Sequence, residues 1–285
     1  MWKKIFLLRI WKRIYFERIG EPIIYNIISF FFFIFGSFVK KIDYDLVPRQ
    51  PYAYGLNESF KRSAIEKVKK ILIIEFGVAS GAGLFNLAYI SRKLSNIYKI
   101  DYEVIGFDSG KGMPKPTSYR DHPEKYRFKD FPPLGLNNKK MPLKTKMYIG
   151  PINKTYKFIK NNLKKNTKIA FVSIDVDFYS STKSALKIFN FKPSSYLSST
   201  IIYFDDINNI DHNKFCGELL AIDEFNKENK LKKITKFTQL RNWRIFKNAI
   251  WLDQMYFLHN FNSKYRNPKN WKNKTQQILK NPYKN

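Results

Sequence analysis

The chain has 285 residues, of which 44% are hydrophobic, so it can bury one large α/β domain with an appendage. Its single cysteine, Cys216, excludes an internal disulfide and a cysteine-based zinc site, which suits a reducing cytoplasm. The formal net charge of +29 is typical of proteins that bind nucleic acid or anionic membranes, although a lysine-rich composition explains it more simply. No zinc-finger, RNP or KH pattern is present, so a nucleic-acid partner is disfavoured.

The first 45 residues differ in composition from the rest of the chain. Apolar and basic residues are interleaved at helical spacing over residues 2–19, which is typical of helices on membrane surfaces. Residues 22–39 form an apolar run just long enough to span a bilayer. A span would place the following domain outside the cytoplasm, so we favour an anchor or hairpin on the inner face of the membrane. A buried helix that caps the next domain or forms a dimer contact remains an alternative.

From residue 46 onward, strand and helix patterns alternate, which predicts a parallel sheet with helices on both faces. Strands are predicted at 71–76, 103–107, 146–150, 168–175 and 199–204, with helices at 83–95, 154–164, 180–189 and 217–228. Two further segments, 233–239 and 249–259, predict an antiparallel strand pair at one edge. Residues 113–145 are a proline-rich insertion that we expect to shape a substrate site. The domain is predicted to cover 46–262, and residues 263–285 form a basic polar tail.

The stretch 71–83 is the most informative part of the sequence. A short apolar strand contains Glu75 near its end and is followed by glycines at 77, 81 and 83. Glycines after a buried strand let the backbone turn tightly and approach a ligand closely. Strand, glycine turn and helix together form the unit with which α/β sheets bind nucleotides, although the turn alone is also compatible with a purely structural role. No Lys-Ser/Thr pair follows the glycines, which excludes a P-loop.

Acidic residues follow the strands after this turn. Asp108 ends the second strand, where an acid can hydrogen-bond a ribose diol. Asp175 and Asp177 follow one later strand, and Asp205 and Asp206 follow the next. Because parallel strands present their carboxyl ends at one edge, we expect these acids to converge near the glycine turn. Crowded carboxylates suit a hard cation such as Mg²⁺, whereas caps and turns are the alternative role for any single acid.

These motifs resemble those of class I S-adenosylmethionine-dependent methyltransferases. The turn Glu75-x-Gly77-x-x-x-Gly81-x-Gly83 is similar to their cofactor motif, and residues 106–114 are similar to their acidic second-strand motif. Residues 174–182 and the pair at 205–206 resemble the macrocin O-methyltransferase-like branch. Segments 51–55, 218–225 and 253–256 resemble a set of bacterial proteins of unassigned function. The resemblance covers about residues 50–260. It implies a Rossmann-like, seven-stranded, mostly parallel sheet with an antiparallel edge pair.

The resemblance implies S-adenosylmethionine as the cofactor, with roles for seven cofactor-binding residues. The glycines would approach the methionine part, Glu75 would hold the turn or meet the ammonium group, and Asp175 would orient the sulfonium end. Asp108 would take the ribose hydroxyls, with Ser109 beside it. The predicted cofactor-binding set is Glu75, Gly77, Gly81, Gly83, Asp108, Ser109 and Asp175.

The resemblance also implies a metal site and a base. Asp177, Asp205 and Asp206 match the metal-binding acids of the family, with Mg²⁺ as the expected ion. Asp177 or His212 would be the base.

Other residues have less defined expectations. His122 lies in the insertion and is expected to face the substrate, and His259 is expected to be structural. Tyr52 and Tyr54 are expected either to gate the site or to pack in the core. Members of the family carry, after the third strand, an acid that contacts the adenine side of the cofactor. This chain lacks that acid, and Tyr148 or Ile152 would pack on the adenine instead.

The implied reaction is attack of a sugar or glycoconjugate hydroxyl on the sulfonium methyl, with a small molecule or glycan as acceptor. The enzyme would be cytoplasmic and peripheral on the inner face of the membrane, which residues 1–45 would contact through anionic lipids. The alternatives are a membrane-associated scaffold with a degenerate cofactor site and a basic nucleic-acid-binding protein. The oligomeric state stays open, with a dimer among the options.

Overall fold

The computed structural model describes residues 15–132, 140–209, 211–271 and 279. Most of the predicted amphipathic segment and most of the basic tail lie outside these residues. The described strands are β1 Lys70–Phe76, β2 Asp101–Asp108, β3 Thr145–Ile149, β4 Thr167–Ile174, β5 Tyr196–Phe204, β6 Lys232–Lys236 and β7 Met255–Asn260. The described α-helices are α1 Ile23–Phe35, α2 Phe38–Asp43, α3 Gln50–Ile65, α4 Ala82–Tyr98, α5 Ile152–Thr155, α6 Tyr179–Leu186, α7 Gly217–Glu228 and α8 Leu240–Trp243.

The seven strands form one sheet in the order β3-β2-β1-β4-β5-β7-β6. The first five strands of this order pair in parallel, and β7 pairs antiparallel with both β5 and β6. The sheet therefore confirms the predicted Rossmann-like fold with an antiparallel edge pair. Its strand order reverses between β1 and β4, and in open α/β sheets ligands bind beside such a reversal, at the carboxyl ends of the strands.

Both faces of the sheet are covered, because its central strands are apolar at nearly every position. In β1, Ile71 and Ile73 join the core beneath α3 and α4, whereas Leu72 and Ile74 join the core beneath α6 and α7. All nine residues of β5 are buried. The continuous apolar runs that predicted these strands thus reflect burial on two sides.

Three predicted element boundaries are wrong. The helix expected at 154–164 is the single α-helical turn of α5 followed by a 3₁₀ segment, Tyr156–Asn161. The helix expected at 180–189 changes to 3₁₀ after Leu186. The strand expected from 249 begins only at Met255, because the preceding apolar residues form a 3₁₀ turn that buries Trp251 and Leu252.

The apolar run before the sheet is divided into two helices. α1 ends at Gly36, and the Ser37 side chain accepts a hydrogen bond from the Lys40 amide, so that α2 begins in a new direction. Within the described ranges, no helix has the length and hydrophobicity required to cross a membrane.

Candidate functional site

The glycine turn after β1 cannot accept side chains at two of its positions. A methyl group added to Gly77, which has a φ of +85°, would lie 1.7 Å from the carbonyl oxygen of Asp175. A methyl group added to Gly83 would lie 1.9 Å from Oε1 of Glu75. The third predicted glycine, Gly81, has a φ of +84° and directly precedes α4. The turn therefore requires glycine at these positions because the backbone packs closely against Asp175 and Glu75.

Glu75 is a buried acid under this turn. Its Oε1 accepts a hydrogen bond of 2.8 Å from the Tyr52 hydroxyl, which also lies 2.9 Å from Oγ of Ser173. Its Oε2 has no hydrogen-bond partner in the part of the chain that the structure describes. Burial raises the pKa of Glu75 to about 7. Tyr52 is thus a core residue that orients Glu75, a role that sequence reasoning missed.

Asp108 ties the end of β2 to the glycine turn. Its Oδ2 accepts hydrogen bonds from the amides of Val78 and Ala79, at 3.0 and 2.9 Å, and its Oδ1 accepts one of 2.7 Å from Gly110. A carboxylate has about four acceptor positions, so one remains on Oδ1 for a ligand hydroxyl. The neighbouring Ser109 donates a hydrogen bond of 2.8 Å to the carbonyl oxygen of Gly112 and shapes the same loop.

The structure brings the four predicted aspartates after β4 and β5 together. The amide of Asp177 donates a hydrogen bond of 3.1 Å to Oδ2 of Asp206. Burial, followed by the charge of Asp205, raises the pKa of Asp175 well above its usual value. Burial, followed by the charge of Asp177, does the same for Asp206. These acids and the glycine turn share one edge of the sheet.

The aspartates are not arranged as a set of metal ligands. Oδ1 of Asp205 accepts a hydrogen bond from the Tyr203 hydroxyl, and Oδ1 of Asp206 accepts one of 2.9 Å from Asn209. Across the described ranges, no three or more His, Cys, Asp or Glu side chains form a group that could hold a metal ion. The donor types suit Mg²⁺, but their arrangement does not fit it.

Glu218 is a fifth acid of this cluster, and sequence reasoning missed it. It lies in the first turn of α7, is completely buried, and has no partner for either carboxylate oxygen among the described residues. Burial raises its pKa well above the usual value, and the charges of Asp206 and Asp205 raise it further. The available signal was an acid placed at the start of the helix that follows the Asp205-Asp206 pair.

Two histidines adjoin the first turn of α7. The rings of His122 and His212 stack with their centroids 5.1 Å apart. A methyl group on Gly217 would lie 3.4 Å from the His212 ring and 3.5 Å from the His122 ring. Nε2 of His122 and both ring nitrogens of His212 are buried and lack hydrogen-bond partners within the described residues. Burial and then Lys125 lower the pKa of His212 to about 4, so its ring is neutral at pH 7.

The insertion between β2 and β3 is fastened over the acid cluster. Asp121, fully buried, accepts hydrogen bonds from the Ser180 amide at 2.8 Å and the Ser180 hydroxyl at 3.1 Å, at the start of α6. The Tyr126 ring lies 6.1 Å, between centroids, from the ring of Phe178, the residue after Asp177. The predicted loop therefore supplies His122 and Tyr126 to the site.

The expectations outside the acid cluster have different outcomes. Tyr148 and Ile152, predicted to pack on an adenine, are both partly buried against the core, and the Tyr148 ring lies between those of Phe107 and Phe158. The exposed residue at this edge is Ile149, which lies beside Gly110. His259 lies on β7, where Nε2 is 2.8 Å from the Thr235 hydroxyl, as expected of a structural residue.

Comparisons with known proteins are limited to solved structures, because no family model and no curated protein matches the chain. The calicheamicin methyltransferase CalS11 is 19% identical, with a TM-score of 0.48 over 73% of this chain and 77% of its own. The O-methyltransferase NovP is 14% identical, with a TM-score of 0.47 over 74% and 80%. The plantazolicin methyltransferase BpumL, in complex with SAH, is 10% identical, with a TM-score of 0.33 over 78% and 89%. Similarities this distant add nothing on function.

Proposed function

We propose that the chain is an S-adenosylmethionine-dependent methyltransferase that methylates an oxygen of a small-molecule or glycan acceptor. The observation that carries the proposal is the glycine turn at the reversal of strand order. Side chains are sterically excluded at Gly77 and Gly83, and Asp108 binds the turn from the second strand. Beside the turn, Oε2 of the buried Glu75 has no partner among the described residues, and Asp108 keeps one acceptor position, so both acids are available to a ligand with positive and hydroxyl groups.

The charge around the turn favours this cofactor over a dinucleotide. Glu75 and Asp175 lie directly beneath the glycines, and neither forms an ion pair with a described residue. Acids in this position would repel a pyrophosphate. A sulfonium and an ammonium group both carry positive charge, so S-adenosylmethionine would compensate these buried carboxyl groups.

The acid cluster and the two histidines would form the acceptor end of the site. An acceptor hydroxyl would attack the methyl carbon in line with the breaking carbon–sulfur bond, and its proton would pass to a base. Asp177 suits this role better than His212, because burial raises the carboxyl pKa of Asp177 and makes it a stronger base, while it lowers the imidazole pKa to about 4. The unpartnered atoms of His122, His212 and Glu218 would then hydrogen-bond the acceptor, which fits a hydroxyl-rich molecule such as a sugar.

Assistance by Mg²⁺ stays a prediction, and no step above depends on it. Binding would require Asp206 to give up the hydrogen bond from the Asp177 amide and both carboxyl groups to turn toward one ion. If they do, added Mg²⁺ should raise the melting temperature, since the ion would bind only the folded chain. Asp206→Asn should abolish that rise. An unchanged melting temperature at saturating Mg²⁺ would show that the protein does not bind the ion.

The cofactor proposal is tested by calorimetric titration with S-adenosylmethionine. Asp108→Asn should weaken binding by about tenfold or more. The carboxylate of Asp108 accepts hydrogen bonds from backbone amides of the turn, and an asparagine NH₂ group in its place would meet those N–H donors with another donor. Asp101→Asn, at the exposed start of the same strand, is the matched control and should bind normally. Absence of binding to the folded wild-type chain would favour the scaffold with a degenerate site.

A further inference from the structure

The helix α1 exposes an almost continuous apolar surface. Seven large side chains on one side of it are between 51% and 76% exposed: Ile23, Ile24, Ile27, Phe30, Phe31, Ile34 and Phe35. Their spacing of i, i+1, i+4, i+7, i+8, i+11 and i+12 is that of a single helix face. We call these seven residues the apolar face. Exposed apolar residues that occur singly need no explanation, but a contiguous patch of this kind marks an interaction surface.

The helix contacts the rest of the protein through its opposite, more polar side. Ser29 is buried, and Asn26 donates a hydrogen bond of 2.9 Å to the carbonyl oxygen of Arg18. Phe32 packs on Tyr44 with ring centroids 4.7 Å apart. An amphipathic helix that packs on a protein core normally turns its apolar side inward. In α1 the orientation is reversed.

A buried polar network holds the helix in this orientation. The Arg18 guanidinium donates to the carbonyl oxygens of Tyr44 and Asp45, at 2.8 and 3.0 Å, and lies over the ring of Phe246. Glu21 is buried and accepts a hydrogen bond of 2.7 Å from the Asn248 amide. These contacts come from both ends of the chain and fix the segment before α1 to the domain. The fold of the domain therefore holds the apolar face toward the solvent.

The charges around the apolar face are basic. Lys40 is exposed beyond the end of α1, and the ammonium group of Lys41 lies 6.0 Å from the ring centroid of Phe33. The sequence of residues 1–14 contains five Lys or Arg residues and no acid. α1 itself contains no charged residue. An apolar helix face bordered by cations matches the chemistry of a membrane interface, with acyl chains below and anionic headgroups beside it.

We propose that the apolar face of α1 docks on the surface of an anionic membrane, with the helix lying in the plane of the interface. The two helices α1 and α2 lead into α3, whose Tyr52 holds Glu75 under the glycine turn. The proposal does not depend on methyl transfer, because it rests on residues outside the site.

The test is sedimentation of the full chain with vesicles of phosphatidylcholine, alone or mixed with phosphatidylserine. The wild-type chain should sediment mainly with the anionic vesicles. The variant Phe30→Ser, Phe31→Ser, Ile34→Ser should lose about tenfold or more of its partition. A control variant carries Ile65→Ser, Leu143→Ser and Leu231→Ser at exposed apolar positions elsewhere, and it should behave like the wild type.

Equal sedimentation of the apolar-face variant and the wild type would overturn the proposal. So would a wild-type chain that ignores vesicles but forms a dimer in light scattering that the variant lacks, since the face would then be a contact between copies. Circular dichroism shows that each variant is folded, and calorimetry with S-adenosylmethionine keeps the two proposals separate. A variant that loses vesicles but still binds the cofactor supports membrane docking alone.

Discussion

Glu218 is the residue whose buried environment most clearly destabilises the folded protein. Both of its carboxylate oxygens are buried without a hydrogen-bond partner in the described structure, beside Asp205 and Asp206. An unsatisfied buried polar group costs about 1–3 kcal/mol. Gln keeps this cost but has no carboxyl proton to lose beside other acids, so we expect Glu218→Gln to stabilise the free protein at pH 8. Thermal denaturation measures the change.

The stabilisation should depend on pH with a defined sign. The folded-state pKa of Glu218 lies well above the usual value of 4.5, so between these values the unfolded chain loses a proton that the folded chain keeps. Wild-type stability is therefore lost as pH rises above 4.5, and the advantage of the variant should grow from pH 5 to pH 8. Glu224→Gln is the control on the same helix, where Lys183 and Tyr179 hydrogen-bond the acid, and it should not stabilise. A pH-independent loss of stability in Glu218→Gln would contradict a role for this residue toward a ligand.

The role of a single residue could be predicted from the sequence when that role depends on its neighbours in the chain. Gly77, Gly83 and Asp108 belong to a short motif whose geometry is set within one turn, so the sequence was sufficient to place them. Tyr52 and Glu218 reach the site from helices far away in sequence, and only the packing of α3 and α7 against the sheet brings them there. Neither residue carries a local pattern that distinguishes it from other helix residues.

The insertion between β2 and β3 is the element that closes the acceptor side of the site, and Asp121 fixes it there. This buried carboxylate accepts from the amides and hydroxyls of both Thr117 and Ser180. Asp121→Asn would place an amide among four donors and should cost about 1.5–3 kcal/mol. We expect limited proteolysis to cleave between residues 113 and 132 faster in this variant. The control is Asp130→Asn, whose side chain accepts, among the described residues, only from the nearby Arg127 amide. Equal cleavage rates would show that Asp121 does not fasten the insertion.

Among the elements, the strands were easier to predict than their connections. Strands such as β1 and β5 are buried on two sides and therefore read as uninterrupted apolar runs. The 3₁₀ turn Ile250–Gln254 begins with three apolar residues and buries Trp251 and Leu252 in the core beside α3, so composition did not distinguish it from a strand. The short helices α5 and α6, which follow β3 and β4, each continue into a 3₁₀ segment. The helical spacing of apolar residues in the sequence does not indicate this change.

At the scale of the whole molecule, charge is distributed unevenly. The chain carries a net charge of +29, yet the carboxyl edge of its sheet gathers Glu75, Asp108, Glu218 and four further aspartates. A polyanion would be attracted to the molecule as a whole but repelled by this edge. The candidate site is therefore suited to a cationic cofactor, whereas any binding of nucleic acid would use other surfaces and would weaken steeply with salt.

The most direct measurement is amide hydrogen exchange with and without S-adenosylhomocysteine. If the carboxyl ends of the strands form one cofactor site, the ligand should slow exchange in residues 75–83 and 106–112 together. Exchange in 232–236, at the far edge of the sheet, should not change. Protection confined to other parts of the chain, with 75–83 and 106–112 unaffected, would contradict the site and the function proposed from it.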